Sequence, residues 1–233
     1  MKVILFGATG MVGQGVLREC LRDPRVASVL AIGRSPLGQS HEKLQELQHG
    51  DFADFSSLAA ELSGWDACLF CLGVSSVGMT ETDYRRVTYG YTLAAAETLA
   101  KLNPGLTFLY VSGLGTDSTE HGRSMWARVK GQTENALLRL PFKAVYLFRP
   151  GFIQPLHGIT SKTRLYRIIY AVTAPLASLL QWLAPNAMTT TEHLGRAMLQ
   201  VAAKGYPRPI LETQDINQAG RLNGSRGSCS RMG

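Results

Sequence analysis

The sequence predicts a doubly wound α/β fold, in which helices cover both faces of a parallel β-sheet. Short apolar runs alternate with helical patterns over the first 155 residues, and such alternation is typical of parallel sheets. The first apolar run, residues 3–6, leads through a glycine-rich turn directly into a helical pattern. With 233 residues, 45% hydrophobic and 18% charged, the chain can bury one large core. We therefore expect one α/β domain with a small, mostly helical C-terminal lobe.

Strands and helices follow one another in a regular order. Strand patterns lie at residues 3–6, 27–32, 67–72, 107–111 and 144–148, and one more strand leads to Asp51. Helical patterns cover residues 11–21, 41–47, 55–62, 83–102 and 124–140. The run at residues 3–6 is apolar throughout, as expected of a central strand that is buried on both faces.

The pattern changes near residue 155, where we place the end of the α/β domain (residues 1–155). Residues 156–217 are interrupted by prolines and mostly helical, with one strand-like piece at residues 209–211. They predict a small lid or substrate lobe packed on the same domain. Residues 218–233 are rich in small polar residues and lack hydrophobic periodicity, which predicts a flexible tail.

The formal net charge is +7, and the positive charge is unevenly distributed. No acidic residue lies between Glu134 and Glu192, whereas six lysines and arginines do. This region favours an anionic partner, such as coenzyme phosphates, an acidic substrate or an anionic membrane surface. We expect no nucleic-acid partner, because aromatic residues do not interleave with the basic ones and no reading helix is present.

Four cysteines and the lack of a signal-peptide pattern before the first strand predict a reducing, cytoplasmic setting. They are Cys20, Cys68, Cys71 and Cys229. Cys68 and Cys71 have the spacing of a redox pair, yet residues three apart in a strand point to opposite faces. We interpret both as small hydrophobic residues of a core strand, with the redox pair as the alternative.

Three regularly spaced glycines stand between the first strand and the first helix. Gly7 permits the tight exit from the strand, Gly10 lets a pyrophosphate approach the backbone, and Gly13 allows close packing of helix on strand. Unpaired N–H groups and the helix dipole attract phosphate at the start of the helix. The turn therefore predicts a Rossmann-type dinucleotide site, formed by Gly7, Thr9, Gly10, Met11, Val12 and Gly13.

The end of the second strand indicates which dinucleotide binds. Rossmann proteins that prefer NAD place an acid there to accept hydrogen bonds from the ribose 2′-hydroxyl, whereas this strand ends in Gly33 and Arg34. The Arg34 guanidinium can pair with a 2′-phosphate through two charge-assisted hydrogen bonds. We expect NADP(H) as the preferred cofactor and NAD(H) as the alternative; without a bound phosphate, Arg34 is a solvated loop charge.

Several short motifs follow the predicted strands and lie on the predicted helices: the glycine turn, Gly33-Arg34, Asp51-Phe52, Cys71-Leu72-Gly73, Ser112, Val129-Lys130-Gly131 and Phe148-Arg149-Pro150-Gly151. Together they resemble the atypical branch of the short-chain dehydrogenase/reductase superfamily, and within it the Tat-interacting-protein-type oxidoreductases. The resemblance implies three further contacts with the dinucleotide. They are Asp51 and Phe52 on adenine, Leu72 and Gly73 along the ribose, and Pro150 and Gly151 beside the nicotinamide. From the residues alone, Asp51 is equally well explained as a turn carboxylate.

The resemblance also implies a catalytic group. Reductases of this superfamily use a tyrosine as proton donor, a lysine four residues later that anchors the ribose, and a serine that polarises the carbonyl. Positions i and i+4 share one helix face, so both groups reach the same acceptor. The candidates here are Ser112, Lys130 and Trp126, which stands in place of the tyrosine. Because an indole N–H gives up no proton at working pH, binding is better supported than turnover.

Two functions are open at this point. The first is an NADP(H)-dependent oxidoreductase acting on an unidentified small-molecule carbonyl or lipid-like substrate, with Tyr91 or His121 as a substitute proton donor. The second is a non-catalytic dinucleotide-binding regulator or assembly factor, which the missing tyrosine supports. A sugar-nucleotide epimerase is disfavoured because it needs the same tyrosine.

An apolar stretch runs from Leu165 to Ala184 and is interrupted by Arg167, Pro175 and Gln181, which argue against a simple membrane span. We expect it to form a lid or an oligomer contact, as in a homodimer. Peripheral membrane attachment is the alternative, because basic and aromatic residues near its ends suit a membrane interface. No metal site is expected, since no two histidines have ligand spacing.

Overall fold

The computed structural model describes residues 1–159 and 187–221. The strands in these ranges are β1 (Lys2–Phe6), β2 (Ser28–Gly33), β3 (Leu44–Gln48), β4 (Ala67–Phe70), β5 (Thr107–Val111), β6 (Ala144–Arg149), β7 (Phe152–Gln154), β8 (Met188–Thr190) and β9 (Ile210–Glu212). The α-helices are α1 (Met11–Arg22), α2 (Glu81–Arg85), α3 (Tyr91–Leu102), α4 (Met125–Leu137), α5 (Thr191–Lys204) and α6 (Thr213–Arg221). There are also a 3₁₀ turn (Ser56–Leu58) and a π-helical turn (Arg86–Gly90).

The main sheet has seven parallel strands in the order β3-β2-β1-β4-β5-β6-β9. The predicted doubly wound parallel sheet is confirmed. The chain builds the sheet outward from β1 to β3 and then returns to add β4 on the other side of β1. In such sheets ligands bind outside the carboxyl ends of the strands, at the point where the order reverses.

Strand side chains alternate between two apolar layers, one on each face of the sheet. Val3 and Leu5 pack with residues of α1, α5 and α6, whereas Ile4 and Phe6 pack with residues of α3. All four side chains are fully buried, and burying each contributes about 1.5–3 kcal/mol. This two-sided burial explains why β1 is apolar at every position, and it fixes the carboxyl end of β1 in the middle of the sheet.

The helical pattern at residues 41–47 forms strand β3 instead, so that prediction is wrong. Leu44 packs against the apolar layer on one face of the sheet, and Leu47 packs against the layer on the other face. A strand sends residues three apart to opposite faces, whereas a helix keeps them on the same side. Pairing with β2 therefore decides the conformation. The helix predicted at residues 55–62 is reduced to the 3₁₀ turn Ser56–Leu58.

The described part of residues 156–217 is built into the same domain. Strand β9 extends the sheet beside β6, and α5 packs against both α1 and α6. The contact of α1 with α5 is close, because a Cβ added at Gly15 would lie 2.5 Å from the Thr191 Cβ. A lid or substrate role for residues 156–217 stays a prediction.

The tail begins later than the sequence predicts, because α6 continues through residues 218–221. Ala219 is 1% exposed, and a Cβ added at Gly220 would lie 2.6 Å from the His193 carbonyl oxygen. Packing against α5 therefore stabilises the end of α6, although the sequence of residues 218–221 shows no helical periodicity.

The apolar stretch at residues 165–184 lies outside the described residues, and so does Cys229. Within the ranges that the structure describes, no helix is long and apolar enough to cross a membrane.

Candidate functional site

The residues predicted to bind the dinucleotide follow the carboxyl ends of successive strands. Gly7 follows β1, Arg34 follows β2, Leu72 follows β4, Ser112 follows β5 and Pro150 follows β6. Because all these strands are parallel, their carboxyl ends meet at one edge of the sheet. The fold therefore brings residues more than 140 positions apart to the same edge, and the remaining question is how each side chain is placed there.

The turn after β1 has little room for side chains. Gly7 has a φ of +81°, and a Cβ there would lie 2.7 Å from the backbone of Cys71 and Leu72 in the loop after β4. A Cβ at Gly13 would lie 2.0 Å from the Gly7 carbonyl oxygen. Glycine at these two positions is therefore a steric requirement, and it lets the start of α1 lie directly against the end of β1.

The start of α1 has the properties of an anion site. Gly10 caps the helix without a side-chain hydrogen bond, and the first turn contains no acidic residue. Within the described part of the chain, the amides of Met11, Val12 and Gly13 have no hydrogen-bond acceptor. Free amides and about half a positive charge at a helix start favour phosphate. Gln14 Nε2 donates to the Thr9 carbonyl oxygen at 3.1 Å and fixes the turn in front of these amides.

A cavity of about 120 Å³, open to solvent on one side, lies beside this turn and extends over the ends of β2 and β3. It brings together five of the predicted site residues, which are Gly7, Thr9, Arg34, Phe52 and Leu72. Other residues that line it were not predicted from the sequence, among them Ser35, Leu37, Glu46 and Gln48. Only the assignment of residues 44–48 to a strand could have revealed the last two, because that strand places them beside β2.

Arg34 and Phe52 present different chemistry to this cavity. Arg34 is exposed and makes no ion pair or hydrogen bond with any described residue. Phe52 is 4% exposed, with ring centroids 6.3 Å from Phe6 and 6.0 Å from Tyr91. A fixed aromatic ring and a free guanidinium at one end of a cavity suit a purine base and an anionic group.

Asp51 takes part in a local turn. Its Oδ1 accepts a hydrogen bond from the Ala53 amide at 2.9 Å, and the residue is exposed and does not line the cavity. This is the geometry of a turn carboxylate, the second of the two interpretations the sequence allowed. Its contact with adenine stays a prediction.

Lys130 and Trp126 lie one turn apart on α4. Lys130 Nζ donates a hydrogen bond to the Ser112 carbonyl oxygen, which ties α4 to the loop after β5. Burial lowers the pKa of Lys130 to about 8, while the nearby Glu134 carboxylate opposes this shift. The Trp126 indole lies 3.6 Å from where a Cβ of Gly115 would stand, so it packs on the same loop. The pair therefore flanks the end of β5, where the resemblance implies the catalytic lysine and, in place of the usual tyrosine, Trp126.

Ser112 is held by Glu134, a residue that the sequence analysis missed. Ser112 Oγ lies 2.5 Å from Glu134 Oε1 and 3.2 Å from the Phe148 carbonyl oxygen. Both acceptors belong to the protein interior, since Glu134 is 1% exposed and Phe148 is fully buried. The single hydroxyl proton is therefore directed inward. The signal was available: Glu134 follows Lys130 by four residues, on the same helix face.

Arg149 balances the buried Glu134 carboxylate. Its guanidinium forms an ion pair with Glu134 and lies 3.6 Å from a carboxylate oxygen of Glu212. It also contacts Ser118 Oγ at 2.5 Å. These contacts connect β6, α4, β9 and the loop after β5. The network holds α4 and the loop after β5 in place beside the candidate site, and this gives Arg149 a structural role at the end of β6.

The end of β6 closes the site on this side. The Gly151 amide donates to Thr213 Oγ1 at 2.8 Å, and a Cβ there would lie 2.4 Å from the Ala187 carbonyl oxygen. The Leu114 amide donates to the Pro150 carbonyl oxygen at 2.9 Å, which joins the loops after β5 and β6. Pro150 and Gly151 therefore lie next to the loop that Lys130 binds, and their contact with the nicotinamide stays a prediction.

Other predicted features contribute less to the site. Cys68 and Cys71 are free thiols, and burial raises the pKa of both, which agrees with their interpretation as core residues. Gly73 is exposed just beyond Leu72. Across residues 1–159 and 187–221, no group of histidine, cysteine or acidic side chains could hold a metal ion.

Comparison with known proteins identifies relatives of this fold. Residues 3–122 match a family model described as the NAD dependent epimerase/dehydratase family. Protein HTATIP2 of Rattus norvegicus is 29% identical over 153 residues, which is 65% of this chain and 62% of that protein. Protein FMP52, mitochondrial, of Candida albicans is 24% identical over 65% of this chain and 66% of its own length. The chain thus matches less than two thirds of the length of these two relatives.

A longer match and two solved structures complete the comparison. Protein fmp52-2, mitochondrial, of Aspergillus oryzae is 25% identical over 93% of this chain and 96% of that protein. The Bordetella bronchiseptica enzyme WbmF in complex with NAD+ has a TM-score of 0.65 at 14% identity, covering 100% of this chain and 81% of its own. MoeE5 in complex with UDP-glucose and NAD has a TM-score of 0.64 at 16% identity, covering 96% and 82%. At these identities the two structures show the fold alone.

Proposed function

Because the chain belongs to the NAD dependent epimerase/dehydratase family, we propose that it is an NADP(H)-binding, oxidoreductase-like protein. The resemblance to Tat-interacting-protein-type oxidoreductases is confirmed by the match to protein HTATIP2. The family model and the fold make this a dinucleotide-binding architecture of the NAD-dependent type. The choice of NADP(H), the roles of individual residues and the substrate belong to the proposal.

The start of α1 is the observation that carries the proposal. Three amides without acceptors face the tight turn after β1, and no side chain of the helix caps them. The cavity beside them continues toward Phe52 and Arg34. A dinucleotide satisfies all of these groups at once: the pyrophosphate at the amides, the adenine near Phe52 and the ribose end near Arg34.

Replacement of Arg34 by alanine tests the preference for NADP(H). Because Arg34 has no protein partner in the described residues, its charge is available for a 2′-phosphate. Loss of charge-assisted hydrogen bonds worth about 1.5–3 kcal/mol is expected to raise the NADPH Kd about ten- to one hundred-fold. The NADH Kd should change less than about two-fold. Titration of coenzyme fluorescence measures both constants.

Arg139→Ala is the matched control for this experiment, because Arg139 is also exposed and lies outside the cavity. It should leave both dissociation constants unchanged. Equal weakening of NADPH and NADH by Arg34→Ala would contradict the proposed role of the 2′-phosphate.

The arrangement around α4 favours binding over turnover. We propose that Lys130, which donates to the Ser112 carbonyl oxygen, also anchors the ribose. Trp126, however, supplies an indole where the resemblance implies a proton donor, and Ser112 Oγ donates its hydrogen bond to Glu134. A second candidate function is therefore a non-catalytic dinucleotide-binding regulator or assembly factor. The position of Ser112 and the indole at Trp126 favour it specifically.

The variant Trp126→Tyr separates the two functions. A phenol one turn from Lys130 can donate a proton to a nascent alkoxide, and general acid catalysis contributes about 10²–10⁴-fold. We expect this variant to oxidise NADPH in the presence of a panel of aldehydes and ketones at least ten-fold faster than the unaltered protein. Trp126→Phe lacks the phenol hydroxyl, and it should oxidise NADPH no faster than the unaltered protein. If Trp126→Tyr binds NADPH without oxidising it, the non-catalytic regulator is the better description.

We propose a reducing compartment for this chain, since the cysteines in its described part are free thiols. The cytoplasm fits this, and the names of the fungal relatives add the mitochondrion as the alternative. The partners are the dinucleotide and an unidentified small molecule, with no nucleic acid. Membrane contact or a homodimer contact through residues 165–184 remains part of the proposal.

A further inference from the structure

Glu46 is an acidic residue in the cavity to which neither the family nor the sequence analysis assigns a role. It lies in β3, paired with Ala31 of β2, and its side chain lines the same cavity as Arg34. NAD-binding proteins of this fold carry their acid at the end of the second strand, where this chain has Arg34. Strand β3 thus brings a carboxylate to this end of the cavity from the neighbouring strand.

One oxygen of the Glu46 carboxylate is used by the protein and the other is free. Oε2 accepts a hydrogen bond from the Leu37 amide at 2.9 Å, which ties the loop after β2 to β3. This is the same loop that carries Arg34. Oε1 accepts no hydrogen bond from the residues that the structure describes. A held carboxylate with one free oxygen is a suitable acceptor for a ribose hydroxyl.

The charges of Glu46 and Arg34 act on the two coenzymes in opposite ways. A 2′-phosphate is attracted by the guanidinium and repelled by the carboxylate. A 2′-hydroxyl can donate to the carboxylate and gains little from the guanidinium. At separations of several ångströms near a protein surface, such charge terms change binding several-fold and weaken with added salt.

We propose that Glu46 is a coenzyme-specificity residue that supports NADH and limits the preference for NADPH set by Arg34. This inference rests on the proposed binding of a dinucleotide in the cavity. It makes the site one of dual specificity, with the acid supplied by β3 and the base by the loop after β2.

The test is to measure the dissociation constants of NADH and NADPH for the intact chain and for Glu46→Gln. Glutamine keeps an oxygen that accepts from the Leu37 amide, so the loop retains its tether while the charge is lost. We expect the NADPH Kd to fall about five-fold and the NADH Kd to stay equal or rise. Raising the salt concentration should reduce the gain for NADPH.

Two further variants keep the result interpretable. Glu42→Gln removes an exposed acid just before β3 that does not line the cavity, and it should leave the ratio of the two constants unchanged. The double variant Arg34→Ala/Glu46→Gln should bind NADPH with a lower Kd than Arg34→Ala alone. The reason is that the repulsion between Glu46 and the 2′-phosphate does not depend on Arg34.

The outcomes separate this inference from the proposed function. If the unaltered chain binds neither coenzyme, the proposed function itself fails, and this inference fails with it. If both coenzymes bind and Glu46→Gln shifts their constants by the same factor, Glu46 is a loop tether and this inference alone is overturned. If Glu46→Gln changes neither dissociation constant, this inference is also overturned.

Discussion

Replacement of Gly13 by alanine is expected to abolish measurable dinucleotide binding and to destabilise the fold. The added Cβ would lie 2.0 Å from the Gly7 carbonyl oxygen and 2.9 Å from the Ala8 Cα. Both are backbone atoms, so α1 must move away from β1, and the amides at its start leave their position. Overpacking of this kind costs about 1–3 kcal/mol. Urea unfolding measures the loss of stability, and fluorescence titration with NADPH measures the loss of binding.

Gly105→Ala provides the control for this prediction. Apart from Gly105 itself and its two chain neighbours, no residue has an atom within 4 Å of a Cβ at this position, which is far from the turn in sequence. Both its unfolding free energy and its NADPH affinity should match those of the unaltered chain. Full NADPH affinity in Gly13→Ala would contradict the proposed binding of the phosphates at the start of α1.

Replacement of Arg149 by methionine is expected to have the largest effect on stability. Glu134 is 1% exposed and Arg149 is its ion-pair partner. Removing one partner of a buried pair leaves an uncompensated charge, which costs about 3–5 kcal/mol. The measured quantity is the free energy of unfolding in urea at neutral pH.

Two variants define the origin of this effect. Arg86→Met removes a pair with Asp83 in which both side chains are at least half exposed, and such a pair contributes about 1 kcal/mol or less. Combining Arg149→Met with Glu134→Gln removes the buried charge and should recover part of the lost stability. If Arg149→Met and Arg86→Met cost the same, the buried network is not what holds α4 against β6.

Much of the candidate site could be predicted because its signals are local. The spacing of Gly7, Gly10 and Gly13 between a strand and a helix is contained in a dozen residues, and it predicts both the turn and an anionic ligand. Arg34 was identified by its position at the end of a strand. Lys130 and Trp126 were identified through the resemblance to the short-chain dehydrogenase/reductases, which implies a lysine four residues after the proton donor. The glycine turn and Arg34 needed only the backbone periodicity of neighbouring elements.

The residues that were missed depend on contacts between distant parts of the chain. Glu134 became important only through Ser112, 22 positions earlier, and Arg149, 15 positions later. Glu46 reached the cavity only because residues 44–48 form a strand beside β2. The position of Glu134 on the helix face of Lys130 is a local signal, but its pairing with Ser112 and Arg149 follows only from the fold.

The sequence by itself determined the alternation of strands and helices in the first 155 residues and the glycine-rich turn between β1 and α1. These are properties of chain segments whose periodicity and residue types are sufficient. Only the tertiary structure decided that residues 44–48 form β3, that β9 joins the main sheet and that α6 continues to Arg221. In each case the local preference is weak, and burial against elements elsewhere in the chain supplies the free energy that selects the conformation.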